Sequence, residues 1–141
     1  MKQEALMTLS ELFTLREGTE SRVNQYWTFW SVSIFAVCGW LFTDSANHVD
    51  GVSSLFIAIG LLFFFVANLS VLTTSTKFSL LVHDEICEQV KKSELSDVFK
   101  TKITDGRVKY RMELTIAMHL IIDAALLTVL ILKGWKVIDL S

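Results

Sequence analysis

Residues 51–76 read GVSSLFIAIGLLFFFVANLSVLTTST and carry no charged side chain between Asp50 and Lys77. At about 1.5 Å of rise per helical residue, this run is longer than the roughly 20 residues that cross the hydrocarbon core of a bilayer. Helices of soluble proteins are apolar along one stripe, whereas this run is apolar on every side. It therefore predicts a membrane-spanning helix, around which the rest of the chain is arranged.

Two further apolar runs flank this stretch, at residues 23–43 and 113–133, and each is long enough to cross a bilayer. Before the first of them, residues 1–22 have apolar side chains at three- and four-residue spacing with charged residues between, which is typical of an amphipathic helix. The sequence thus predicts an all-α integral membrane protein. It has three transmembrane helices, an N-terminal amphipathic helix and a long cytoplasmic helical extension of the second span.

The distribution of basic residues predicts the orientation. Of the 13 Lys and Arg residues, eight lie in residues 77–112 and none in the loop 44–50. By the positive-inside rule the N-terminus is cytoplasmic and the C-terminus external, in the inner membrane if the source is bacterial. The predicted order is a cytoplasmic amphipathic helix (1–22), span one (23–43), a short external loop (44–50), span two (51–76), a cytoplasmic helical stalk and turn (77–112), span three (113–133) and an external tail (134–141).

The stalk continues the second span as a helix. Apolar side chains recur every four residues beyond the span, at Phe78, Val82, Ile86 and Val90. With no proline or glycine in this region, the pattern predicts one helix to about Lys92. Its apolar stripe needs a cover, from the N-terminal helix, from residues 94–99 or from a neighbouring subunit.

Ionisable residues occur in the middle of the third span. His119 and Asp123 are four residues apart, so they share one helix face near the bilayer centre. An aspartate there costs about 2.5–3.5 kcal/mol on insertion scales, and such residues commonly mark ion or proton pathways. The alternative is that hydrogen bonds to neighbouring helices only hold the bundle together. Asn68 and Ser70 of the second span complete the predicted intramembrane polar site.

Other candidate residues carry weaker signals. His83 and Cys87 share a face of the stalk and are weak candidates for zinc ligands, although no second pair of this kind supports a metal site, and we expect no cofactor. The charge pattern gives no sign of nucleic-acid binding. Aromatic side chains suited to anchor the spans at the membrane interfaces are Tyr26, Trp27, Trp40, Tyr110 and Trp135, with Trp30 beside the first two.

Two protein families are similar in outline. The chain resembles the small bacterial diacylglycerol kinases, which also have an amphipathic N-terminal helix and three spans. In that family two glutamates flank an asparagine of the second span, and with Asn68 aligned those positions are Phe65 and Leu72 here. Without these carboxylates the resemblance implies no bound Mg²⁺ and no phosphoryl transfer. The plan also looks similar to that of small pore-forming effectors of bacterial defence systems.

Three functions follow as hypotheses, and we expect the protein not to be an enzyme. The first is a homo-oligomeric ion channel or pore, because three spans of one small subunit cannot enclose a water path alone. The second is a membrane scaffold or accessory subunit that recruits a soluble or membrane protein partner through its cytoplasmic helices. The third is a small lipid-acting enzyme. In all three hypotheses the protein lies in the lipid bilayer. The mid-membrane pair at His119 and Asp123 favours the ion channel or pore.

Overall fold

The computed structural model describes residues 7–106 and 110–138, and every regular element within them is a helix. The helices are α1 (Leu9–Leu41), α2 (Asp44–Asn47), α3 (Gly51–Lys92), α4 (Asp97–Asp105) and α5 (Arg111–Gly134). The start of the predicted amphipathic helix (1–6), part of the predicted turn (107–109) and the end of the predicted tail (139–141) lie outside the described residues.

Helix α1 (Leu9–Leu41) contains parts of two segments that the sequence predicts separately, 1–22 and 23–43. It begins at a capping box in which the Thr8 hydroxyl accepts from the Glu11 backbone N–H and the Glu11 side chain accepts from the Thr8 N–H. From there it runs unbroken to Leu41. Within the predicted external loop 44–50, Asp44–Asn47 form a short helix.

Helix α3 is the central element of the fold. Its N-cap is Asp50, whose side chain accepts a 2.7 Å hydrogen bond from the Ser53 backbone N–H and whose negative charge suits a helix N-terminus. The helix ends at Lys92, the position that the four-residue repeat predicts. At about 1.5 Å per residue its 42 residues extend on the order of 60 Å, and both α1 and α5 pack along it.

Two apolar clusters divide the packing along α3. One lies between the apolar parts of α1, α3 and α5 and contains Trp30, Phe65 and Leu126. The other lies at the stalk, where Leu12 of α1 covers Val82, Ile86 and Val90. The sequence offers three candidates to cover the apolar stripe of the stalk. The N-terminal part of α1 covers most of that stripe, and Ile103 of α4 packs against the same cluster.

By length and composition, α3 and α5 are the two described helices that can cross a membrane, and α1 is not among them. The apolar part of α1 is interrupted by Ser, Thr, Tyr and Trp residues, which lower its mean hydropathy. Only 22% of the most apolar window of α3 and 28% of that of α5 are buried. Phe56 and Phe63 of α3 are each 71% exposed. A helix in a soluble core would have these side chains covered.

Candidate functional site

The mid-membrane aspartate of the prediction contacts α1. Trp30 Nε1–H donates a buried hydrogen bond of 2.8 Å to Asp123 Oδ1. Trp30 is 5% exposed and Asp123 8% exposed, so the bond is shielded from the surroundings. A hydrogen bond to a carboxylate in a medium of low polarity is stronger than the same bond in water. This contact joins α1 to α5 directly, over 93 residues of sequence.

His119 lies in the same cluster, which we call the tryptophan–aspartate cluster (Trp27, Trp30, His119 and Asp123). Its ring stacks on Trp30 with centroids 4.4 Å apart, and Trp27 meets it edge-on at 4.9 Å. His119 Nδ1–H donates to the Thr115 carbonyl at 3.1 Å, since a carbonyl oxygen only accepts. Nε2 is buried and has no hydrogen-bond partner among the described residues.

The tryptophan–aspartate cluster differs from the predicted polar site in its composition. Trp30, which the sequence predicts near a membrane interface, is buried in the bundle, where Asp123 accepts a hydrogen bond from its indole N–H. Trp27 is half-buried and contacts the rings of Trp30 and His119. Asn68 lies apart, with Nδ2 donating at 3.5 Å to the Tyr26 carbonyl, and its buried Oδ1 has no hydrogen-bond partner in the described part of the chain. Ser70 is exposed on α3. His119 thus lies against two indole rings, and Asp123 bonds to one of them.

A second polar cluster ties the three long helices together next to the stalk. Arg111 of α5 donates two parallel hydrogen bonds of 2.7 Å to the carboxylate of Glu20 in α1. The buried Ser79 hydroxyl of α3 donates to the same carboxylate. These bonds lower the pKa of Glu20, chiefly through Arg111, and the carboxylate raises the pKa of Arg111 in turn. No local pattern in the sequence indicates this pair, because the two residues are 91 positions apart.

A third set of polar contacts closes the opposite end of the bundle. The Ser54 hydroxyl of α3 donates to the Leu130 carbonyl of α5 at 2.8 Å, and the buried Lys133 ammonium donates to the Leu41 carbonyl of α1. Gly134 permits this approach, because a Cβ there would lie 2.2 Å from Ser54 Cβ. Besides the bond from Asn68 to Tyr26, the interhelical polar bonds of the described helices therefore occur at three levels, each inside the unit that one chain forms.

The remaining predicted residues are placed as follows. His83 and Cys87 are buried on α3 with Nε2 and Sγ 3.6 Å apart, and no group of three or more metal-ligating side chains in residues 7–106 and 110–138 could hold a metal ion. Trp40 is half-buried against the apolar cluster. Tyr110 and Trp135, at the two ends of α5, are 69% and 52% exposed and are thus accessible at the positions predicted for membrane anchors.

The Glu20–Arg111 pair leads to a pH prediction. Because the native pKa of Glu20 lies below its ordinary value, its contribution to the free energy of unfolding is complete above that ordinary value and is lost as the pH falls through the native pKa. We expect Glu20→Ala to lower the free energy of unfolding at pH 7 by about 1–2 kcal/mol, as for a partly buried, bidentate pair.

The measurement is chemical unfolding of the detergent-solubilised protein at pH 7 and at about pH 3.5, a value chosen to lie below the ordinary glutamate pKa. The difference between wild type and Glu20→Ala should shrink at the lower pH. Glu17→Ala serves as the control, because Glu17 is exposed on the same helix. An equal loss for both variants, or a difference that does not change with pH, would contradict the role of the ion pair.

Comparison of the chain with protein-family models, with curated proteins and with solved structures finds no match.

Proposed function

We propose that the protein is a non-catalytic membrane scaffold that crosses the bilayer with three helices and presents its cytoplasmic helices to a protein partner. The three are α3, α5 and the apolar part of α1, which is less apolar than the other two and packs along them. One observation carries the proposal: Asp123 and His119 make their contacts inside the unit formed by one chain, against Trp30 and Trp27. A channel lined by these residues would need them on an outer face of the subunit. In their observed positions they stabilise the packing of α1 on α5.

The outer face of the apolar part of α3 supports the same proposal. Exposed side chains from Val52 to Val71 are largely Phe, Leu, Ile and Val, which suit lipid contact. A conducting lumen between subunits requires a continuous row of polar groups across the membrane. On the described surface of α3 the polar side chains of this segment are confined to its ends, at Ser53 and Ser70.

The cytoplasmic end offers apolar side chains that the fold leaves uncovered. On α4 these are Val98, 71% exposed, and Phe99, 49% exposed, while Ile103 faces the stalk. On α3, Leu81 is 66% exposed although the neighbouring Val82 is buried. Outside the membrane such side chains cost free energy in water and are typical of surfaces that bind another protein. We therefore place the partner surface on α4 and the adjoining part of α3.

Two measurements test the scaffold. In liposomes, wild type and Asp123→Asn are both expected to give no ion flux above protein-free vesicles. In cells, a photo-crosslinking residue at Val98 is expected to give a defined heavier adduct, whereas the same residue at exposed Thr104 on another side of α4 gives none. The purified protein alone should give no such adduct at Val98. Ion flux, or equal adducts at both positions, would contradict the proposal.

One observation favours the homo-oligomeric channel as a second candidate. Polar side chains of α1 follow one exposed face at Glu17, Ser21, Asn24 and Thr28, and they line a groove of about 460 Å³. In a ring of subunits this face can form the mouth of a water path. Flux in the same liposomes that falls several-fold in Thr28→Leu, and does not fall in Val32→Leu on the apolar continuation of α1, would favour the channel over the scaffold.

A further inference from the structure

A small polar cavity lies beside the Glu20–Arg111 pair, where α1, α3 and the start of α5 meet. Its volume is about 230 Å³, and its lining includes Arg16 and Glu20 of α1, Ser79 and Leu80 of α3, and Arg111 of α5. We call it the arginine cavity. Because three helices contribute its lining, the cavity exists only where the bundle is assembled.

The arginine cavity carries a positive charge without a paired counter-charge among the described residues. Arg111 is paired with Glu20 through two hydrogen bonds of 2.7 Å. Arg16 makes no hydrogen bond or ion pair with the described residues, although its charge helps to lower the pKa of Glu20 after the larger effect of Arg111. With His83, another lining residue, counted as neutral, two arginines and one glutamate leave one net positive charge.

Hydrogen-bond donors of both arginines remain available in the cavity. A guanidinium has five N–H groups in a planar fork that matches the oxygens of a phosphate or a carboxylate. Arg111 uses two of its five on Glu20, and Arg16 uses none on the described residues. The Arg111 side chain is 25% exposed, so solvent screens its charge less than that of a fully exposed arginine. The cavity therefore suits a small anion with several oxygens.

The depth of the arginine cavity matches that of lipid headgroups. With α3 across the bilayer, its uncharged run ends at Thr76, and Ser79 lies three residues farther, about 4.5 Å along the helix axis. The headgroup layer on each side of the hydrocarbon core is on the order of 5–8 Å thick. Tyr110, next to Arg111 and 69% exposed, is an aromatic side chain typical of the same layer. The cavity thus lies level with the lipid phosphates of the cytoplasmic leaflet.

We propose that the arginine cavity binds the terminal phosphate of a lipid in the cytoplasmic leaflet. Its volume is below the roughly 300–1,000 Å³ typical of sites for a whole small molecule, so a headgroup fits while the acyl chains stay in the bilayer. A phosphate monoester carries about −1.5 to −2 charges at pH 7, more than the single charge of a diester, and therefore gains more from two arginines. Basic pockets between helices on the cytoplasmic side are suited to lipid headgroups. A free phosphate compound offers the same group, and comparison with inorganic phosphate distinguishes the two sources.

This inference rests on the membrane location in the proposed function and is independent of the protein partner. Recovery of the protein with phosphatidylcholine vesicles after flotation tests that location by itself. A protein that does not float contradicts the membrane location. A protein that floats but does not prefer the phosphate monoester contradicts this inference alone.

Binding is measured by native mass spectrometry of the protein in a non-ionic detergent, titrated with lipids of equal chain length. We expect phosphatidic acid, a phosphate monoester, to bind several-fold more tightly than phosphatidylglycerol, a diester, and phosphatidylcholine to bind weakly. Inorganic phosphate should displace phosphatidic acid only at much higher concentration. Equal affinity for inorganic phosphate would overturn the lipid assignment and leave a site for a free phosphate compound. No preference for the monoester over the diester would overturn the proposal.

Arg16→Gln tests the arginine that has no paired counter-charge. It should weaken binding of phosphatidic acid about tenfold or more, the effect of a lost hydrogen bond between charged groups. Arg22→Gln is the matched control, because Arg22 is exposed on the same helix, does not line the cavity and loses the same charge. Equal weakening by both variants would indicate general attraction to an anionic lipid and would overturn the site. Chemical unfolding of Arg16→Gln should match that of wild type, since Arg16 bonds to no described residue.

Leu80→Trp tests the cavity itself without a change of charge. The larger side chain takes up space in the cavity and should weaken binding of phosphatidic acid several-fold. Leu81→Trp is the control, because Leu81 is 66% exposed, does not line the cavity and should leave binding unchanged when it is replaced. Equal affinities of the two variants for phosphatidic acid would overturn binding inside the cavity.

Discussion

Replacement of Trp30 by Phe is expected to lower the free energy of unfolding by about 1–3 kcal/mol, the cost of a buried acceptor that loses its donor. Trp30 Nε1–H donates to Asp123 Oδ1 at 2.8 Å, and phenylalanine keeps an aromatic ring in the cluster but has no N–H. The reverse change, Asp123→Leu, leaves the indole N–H unpaired and should cost a similar amount. Titration with a denaturing detergent measures both losses.

The double variant Trp30→Phe/Asp123→Leu separates this hydrogen bond from packing. Removal of both partners leaves neither an acceptor without its donor nor a donor without its acceptor at this bond, so the double variant should be more stable than the sum of the two single losses predicts. Trp27→Phe is the control. Trp27 contacts the His119 and Trp30 rings, but its replacement does not remove a hydrogen-bond donor from Asp123. Losses that simply add, or a Trp27→Phe loss as large as that of Trp30→Phe, would contradict the argument.

The helical architecture of α3 could be read from the sequence because it depends on local pattern. An uncharged run followed by a four-residue apolar repeat specifies one long helix that ends at Lys92. Residues 22 and 23 lie within one helix, because a change from amphipathic to apolar composition contains no helix stop signal. Composition indicates the surroundings of a helix, and capping and breaker residues decide where it ends.

The partners of the site residues could not be read in the same way. Spacing places His119 and Asp123 on one face of α5, but it gives no information on which face of α1 lies opposite. Trp30 was expected at an interface because an indole has both an apolar body and a polar N–H. The same two properties also suit a buried site with an acceptor, and only the rotation of α1 about its axis distinguishes the two positions.

The contact between Gly134 and Ser54 leads to the second large effect, at the far end of the bundle. A Cβ at position 134 would lie 2.2 Å from Ser54 Cβ and 2.5 Å from Ser54 Oγ, so Gly134→Ala must push α5 away from α3. The displacement also breaks the hydrogen bond from Ser54 to the Leu130 carbonyl. Overpacking and the lost bond together should lower the free energy of unfolding by about 2–4 kcal/mol.

Two further variants distinguish this steric effect from a general effect of alanine. Gly39→Ala has free space around its new methyl group and should be neutral or stabilising, since alanine favours a helix by about 1 kcal/mol over glycine. Adding Ser54→Gly to Gly134→Ala removes the colliding Cβ and Oγ and should recover the steric part of the loss, although the bond to Leu130 stays absent. Wild-type stability of Gly134→Ala would mean that α3 and α5 do not approach this closely. The close approach matters because it allows Ser54, a residue of an apolar helix, to bond to a neighbouring backbone carbonyl.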